Sequence, residues 1–223
     1  MPTPRHPNSP QSPGQALSAS IGSESFDLVA TVGDTAVDAA ITSGVLDGVP
    51  ILGLASSAYK AQREIRDHLY MKKVVGLLQG IGSTTSAADR DRFVEKLQQR
   101  GEYDRFGETI LLLLEQVDDA RKPSIMGRIL AAHMSGKISS YDQAMRLVSM
   151  VNRTYAVDLG YLKTFTAGVQ RGEGVEIASS LAAVGLLANA GFDGGGFDQT
   201  AEPGGLRYGL SDYGRLLLEH GLA

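Results

Sequence analysis

The sequence predicts an all-α protein: a helical bundle around one long helix, with a small β-hairpin near the C-terminus. Three observations carry that expectation. Apolar residues recur at three- and four-residue intervals through most of residues 23–165, the spacing of a buried helical stripe. After Pro50 no proline follows until Pro123, so a helix can run from about Pro50 to Leu78, about 40 Å at the α-helical rise. Strand-like alternation is confined to Leu206, Tyr208 and Leu210, just after a Pro203-Gly204 pair suited to a type II turn.

In order along the chain, residues 1–22 form a Pro/Ser-rich segment that includes five of the eight prolines. It lacks the apolar run and the positive charge of a signal peptide, and it reads as a disordered tail. A first helix is expected from Ser23 or Ser25, with Phe26, Val29, Val37, Ala40 and Ile41 on its inner side. Its polar side is acidic, with Glu24, Asp27, Asp34 and Asp38, and no Lys or Arg lies between Pro7 and Tyr59. Residues 60–100 reverse the sign, with nine basic and five acidic side chains. Charge complementarity therefore pairs the first helix with the basic part of the long one.

The stretch Gly44–Ile81 organises the chain. Its first part is apolar, and Lys60, Arg63, Arg66, Lys72 and Lys73 follow. An apolar patch beside bases is the composition of an interfacial helix on anionic lipid. The apolar run of about 16 residues is broken by Asp47 and Pro50 and falls short of the roughly 20 needed to span a bilayer. Burial in the core is the expected use of this run. The alternative is contact with a membrane surface or a partner through Val49, Ile51, Leu52, Leu54, Lys60, Arg63, Arg66, Lys72 and Lys73.

The middle of the chain has clear helix punctuation. Ser86 and Asp89 form a capping pattern that opens a helix ending near Arg100–Gly101, with Phe93, Val94 and Leu97 inward. Tyr103–Val117, containing ILLLLEQV, is expected to be the most buried helix. Asp118-Asp119 opens the next, early enough to tolerate Pro123. Ser139 and Asp142 mark a further start, and apolar spacing continues from Ser140 to Phe165. The segment 131–142 has the glycine, isoleucine and terminal acid of the second half of a calcium loop. Ala131 and His133 stand where hard oxygen donors are needed, so no calcium site is expected.

From residue 171 the texture changes. RGEGVEIASSLAAVGLL reads as a short amphipathic helix, the Gly-rich GFDGGGF as a flexible connector, and Ser211 as the cap of a closing helix. Helix, hairpin and closing helix resemble the end of a winged-helix domain, which implies a wing with Arg207 and Tyr208 as its contact residues. Residues 172–223 hold seven acids against Arg207 and Arg215, so tight nucleic-acid binding is not expected. The expected organisation is thus a tail over 1–22, a helical bundle over 23–170 and a winged-helix-like unit over 171–223.

The chain carries a net charge of −4 and no cysteine, which removes disulfides, thiolate metal sites and thiol catalysis. Gly136-Lys137 is not followed by Ser or Thr, so there is no P-loop; the four histidines are far apart and form no H-E-x-x-H. No catalytic residue, metal or cofactor is expected. The succession GVLDGVPILGLASSAYKAQREIRDHLYMKKVVGLL and GETILLLLEQVDDARKPSIMGRILAAHMSGKIS resembles a family of uncharacterised bacterial all-helical proteins over about residues 35–165. That resemblance implies a cytoplasmic or membrane-peripheral accessory protein encoded near defence or mobile-element genes. The expected function is a non-enzymatic interaction module that engages a protein partner or a second copy of itself. A membrane-active effector and a winged-helix DNA regulator are the alternatives.

Overall fold

The computed structural model describes residues 12–33, 36–62, 65–196 and 204–223. They form twelve helices and a three-stranded antiparallel sheet. The helices are α1 (Pro13–Ile21), α2 (Phe26–Thr31), α3 (Val37–Ser43), α4 (Pro50–Gln62), α5 (Ile65–Gly82), α6 (Ala87–Arg100), α7 (Tyr103–Glu115), α8 (Lys122–Met134), α9 (Tyr141–Arg153), α10 (Ala156–Tyr161), α11 (Glu173–Ala183) and α12 (Asp212–Leu216). A π-helical turn, Leu217–Gly221, closes the chain. One hydrophobic core runs from Ala16 through α5 and α8 to Leu222.

The tail expectation fails at its C-terminal end. Ser12 caps α1 by accepting from the Gln15 N–H at 3.1 Å, and Pro13 supplies the fixed φ of a first turn. Leu17 and Ile21 are buried, and two of the serines that suggested disorder, Ser18 and Ser20, bond to the backbone of other elements. Ser18 Oγ donates to the Tyr103 carbonyl at 2.6 Å. Ser20 Oγ accepts from the Ile51 N–H at 2.9 Å, satisfying a donor in the first turn of α4 that has no partner within its own helix. Gly14 and Gly107 let α1 and α7 touch backbone to backbone: a Cβ on Gly107 would stand 1.9 Å from the Gly14 oxygen. Residues 1–11 of the expected tail lie outside the described residues.

Other boundaries also move. The expected first helix is two short ones, α2 and α3; the expected rod from Pro50 to Leu78 is helical as α4 and α5 on either side of residues 63–64, which lie outside the described residues. The charge pairing survives in divided form. Asp38 of α3 meets His68 Nε2 at 2.9 Å and Lys72 Nζ at 3.0 Å on α5. Asp27 of α2 instead meets Arg90 of α6 at 3.2 Å, where the buried guanidinium sits 4.1 Å from the Phe26 ring centre.

Helices α5 and α8 form the central pair, and glycine makes their approach possible. A Cβ on Gly80 would lie 2.2 Å from the Ser124 oxygen, and one on Gly127 would lie 2.2 Å from the Leu77 oxygen. Around that crossing Val74, Val75, Leu77, Leu78 and Ile81 of α5 and Met126, Ile129 and Leu130 of α8 are buried. The start of α8 also buries Lys122, whose ammonium donates to Asp118 at 2.5 Å and to the Asn152 carbonyl at 2.9 Å. Helix α7 is less enclosed than its sequence suggests, since Leu112 is 60% exposed.

Several caps stand where the sequence placed them. Ser86 and Asp89 make a reciprocal capping box, Gly101 closes α6 in the left-handed region at φ 68°, and Ser211 caps α12. Ser140, rather than Ser139, accepts from the Gln143 N–H to start α9. Apolar periodicity had run from there to Phe165 as one helix, but the chain is extended at Thr154 and Tyr155, dividing α9 from α10.

The sheet is wider than a hairpin. Strands β1 (Gly168–Val169), β2 (Leu187–Asp193) and β3 (Gly205–Leu210) pair antiparallel in the order β1-β3-β2. Strand β1 thus lies inside the segment assigned to the bundle, and β2 enters the Gly-rich stretch expected to be a connector. Most of β2 is exposed and its register shifts between Asn189 and Phe192, which removes the alternation that would mark it in sequence. Residues 197–203, including Pro203 of the expected turn, lie outside the described residues.

Candidate functional site

Helix α5 supplies the floor of a groove with a volume of about 1540 Å³. Ala30, Val32 and Val37 from the α2–α3 side form one wall; Glu115, Val117, Asp119 and Arg121, from the link between α7 and α8, form the other. On the floor, Ile65 and Leu69 lie one turn apart and are 80% and 53% exposed. Gly76 deepens the groove beyond them, with Gln79 and Ser83 further along.

The charges of this groove are held in place by one another. Arg66 donates to Glu115 at 2.7 Å, and Arg121 grips Asp119 through both Nε and a terminal nitrogen. Lys73 lies under the end of α7, where its ammonium donates to the carbonyls of Leu114 at 3.2 Å and Val117 at 2.6 Å. It thereby adds a donor to the Leu114 carbonyl, which already accepts from the Val117 N–H, and opposes the negative end of the helix dipole. Burial holds the Lys73 ammonium below its ordinary pKa, while nearby Asp118 and Glu115 pull in the other direction. Tyr70 donates to the Leu111 carbonyl, and burial, reinforced by Glu115, pushes its hydroxyl up to about 12. Hydrogen bonds from His68 and Lys72 hold Asp38 below the usual carboxylate range. Those from the Arg121 side chain and backbone bring Asp119 down to about 2.

The contact residues expected from the sequence divide into three groups. Arg66, Lys72 and Lys73 do come together along the groove. Val49, Ile51 and Leu52 do not: all three are buried in the core and present no face to a membrane or partner. The Ser20–Ile51 bond fixes that part of α4 against α1. Leu54 stays exposed on α4, where Lys60 also lies, and Arg63 is outside the described residues. At the sheet, Arg207 is exposed, but Tyr208 is corrected: it is buried, and its hydroxyl shares a 2.8 Å hydrogen bond with Ser179. The expected calcium-like turn is a helix–helix connection, with Gly136 at φ 79° and the Ile138 N–H donating to the Ala132 carbonyl.

Ile65, Leu69, Tyr70 and Glu115 were not singled out from the sequence. An apolar pair at i and i+4 on the basic side of α5 was the available signal; the wall facing it comes from residues far along the chain. Among the described residues no three His, Asp or Glu side chains gather in a way that could hold a metal ion, and no helix is long and apolar enough to cross a membrane. The groove joins an uncovered apolar strip to rims of fixed, alternating charge, which is a surface suited to binding. Comparison with family models, with curated proteins and with solved structures found no match for this chain.

Proposed function

We propose that this chain is a non-enzymatic interaction module that takes an amphipathic helix of a protein partner into the groove along α5. The observation that carries the reading is the exposure of Ile65 and Leu69 inside a groove with a volume of about 1540 Å³. That volume exceeds the roughly 300–1,000 Å³ of small-molecule sites. An apolar floor one turn apart, with Arg66 and Glu115 on the rim, matches the i, i+4 anchors of a helix laid in a groove. A cytoplasmic accessory subunit of a bacterial defence or regulatory assembly is the setting that goes with the family resemblance of residues 35–165.

Within the same reading, the segment from α10 to α12 is a winged-helix-like unit. Its β1-β3-β2 order, with α11 ahead of the hairpin, supports that shape. Exposed Glu173 and Glu176 on α11 would repel phosphates, which favours a structural or protein-contacting use over DNA reading.

A photo-crosslinking residue at Leu69, placed in cells that encode the protein, tests the groove. The expected result is an adduct whose crosslinked peptide is an amphipathic helix, lost when Ile65→Asp is added and not formed from a crosslinker at exposed Glu95. A dimer by light scattering that dissociates with Leu69→Asp would identify the occupant as a second copy, replacing the separate partner. A monomer giving no specific adduct at Leu69 would refute the reading.

A further inference from the structure

Helix α6 and the turn between α8 and α9 enclose a second, smaller pocket with a volume of about 310 Å³. Three cations, Arg92, Lys96 and Arg100, reach it from successive turns of α6, and no carboxylate lines it. In a chain of net charge −4 these three cations stand together, with Glu102 and Asp142 near Tyr141 beside the pocket. Arg92 is paired with Asp89, whereas Lys96 and Arg100 have no ion pair among the described residues. A four-residue step advances about 6 Å along a helix, so adjacent cations can hold one phosphoryl group between them or share a diphosphate.

The facing wall is polar and held in position. His133 Nδ1 meets the Ile138 carbonyl at 2.8 Å; a carbonyl only accepts, so Nδ1 carries the hydrogen and the ring orientation is fixed. That ring packs edge-on to Phe93 and tilted against Tyr141, each with centroids 5.9 Å apart. The hydroxyls of Ser139 and Tyr141 line the pocket and make no hydrogen bond among the described residues. Tyr141 is half-buried, so its hydroxyl is a donor partly withdrawn from water without a protein acceptor.

We infer that this pocket binds a small phosphate-bearing molecule, with Lys96 and Arg100 as the charged contacts and Ser139 and Tyr141 as neutral donors. Free cations supply the attraction and the unpaired hydroxyls supply direction, a division suited to tetrahedral oxyanions. The volume lies at the lower edge of the small-molecule range, which favours a compact phosphorylated compound over a polymer. The inference is independent of the groove on α5, because none of these residues lines that groove.

The test is calorimetric titration of the full chain with inorganic phosphate and with pyrophosphate, against sodium chloride at matched ionic strength. Saturable one-to-one binding is expected, tighter for pyrophosphate. It should weaken at least tenfold in Lys96→Glu/Arg100→Glu and several-fold in Tyr141→Phe. Lys96 and Arg100 are exposed on α6, so the ligand-free melting temperature should not change; Lys96→Ala, with a smaller loss, replaces the double variant if it does. Absence of saturable binding, or equal binding by the charge-reversed or alanine variant, overturns the inference. A short single-stranded oligonucleotide binding more than tenfold tighter than pyrophosphate overturns it in favour of a nucleic-acid surface.

Discussion

Adding one methyl group to α5 should have opposite effects at two glycines a single turn apart. At Gly76 a new Cβ would meet the Pro123 Cβ at 3.5 Å, ordinary van der Waals contact. Alanine there should raise stability by up to about 1 kcal/mol, because glycine in a helix interior loses more backbone entropy on folding. At Gly80 the same Cβ would stand 2.2 Å from the Ser124 oxygen, 2.9 Å from its carbonyl carbon and 3.0 Å from the Gly127 Cα. All three are backbone atoms of α8, and no side-chain rotation relieves them. The helices must separate, loosening the packing of Leu77, Ile81 and Met126, at a loss of about 1–3 kcal/mol or more. Against a total stability of about 5–15 kcal/mol the difference is readily measured. Urea denaturation at 25 °C should show the midpoint rising for Gly76→Ala and falling for Gly80→Ala with similar slopes. The melting temperature should move by about 2–4 °C per kcal/mol for a chain of this size. Equal midpoints for the two variants would refute the close crossing of α5 and α8.

Two further outcomes follow from the core and from the carboxylates. Leu52→Asp places an unpaired charge at a buried position, which costs several kcal/mol; its thermal melt should fall sharply, while the wild type releases no dye from anionic vesicles. A folded Leu52→Asp variant beside a leaking wild type would instead make the α4 segment a membrane element. Asp38, Asp89, Asp118 and Asp119 all have pKa values depressed in the folded state, Asp119 to about 2. Their contribution is complete above the ordinary carboxylate pKa of about 3.9 and is lost as pH falls towards 2. The urea midpoint should therefore be level from about pH 7 to about pH 5 and drop between about pH 4 and about pH 2, less steeply in Asp119→Asn. A drop no shallower in that variant would remove Asp119 from the cause.

Local signals were the most legible part of the chain. Ser86, Ser211 and Gly101 cap helices because their chemistry acts within a few residues, and apolar spacing located the helices from 87 to 153. The division between α9 and α10 at Thr154–Tyr155 was hidden because apolar spacing continues across it. Helix α1 was hidden by composition: a Pro/Ser-rich stretch becomes ordered because Gly107, Tyr103 and Ile51 supply its partners. Gly80 and Gly127 are ordinary glycines in sequence, and only tertiary contact shows why a side chain cannot replace them. The same holds for the groove. Arg66, Lys72 and Lys73 could be read from the basic run on α5, whereas Glu115 and the loop that faces them could not.

The docking of α1 also sets an order of events during synthesis. Ser12 donates to Asp104 across 92 positions, and Gly14 rests on Gly107. At translation rates of about 5–20 residues per second, α1 leaves the ribosome about 5–20 s before the helix that covers it. Throughout that interval Leu17 and Ile21 have no cover from α7, and a segment of nine residues is too short to hold a helix alone. Helix α4, whose Ile51 N–H bonds to Ser20, is made earlier and is the first cover available to α1; the face around Gly14 stays within reach of chaperones and proteases until α7 emerges.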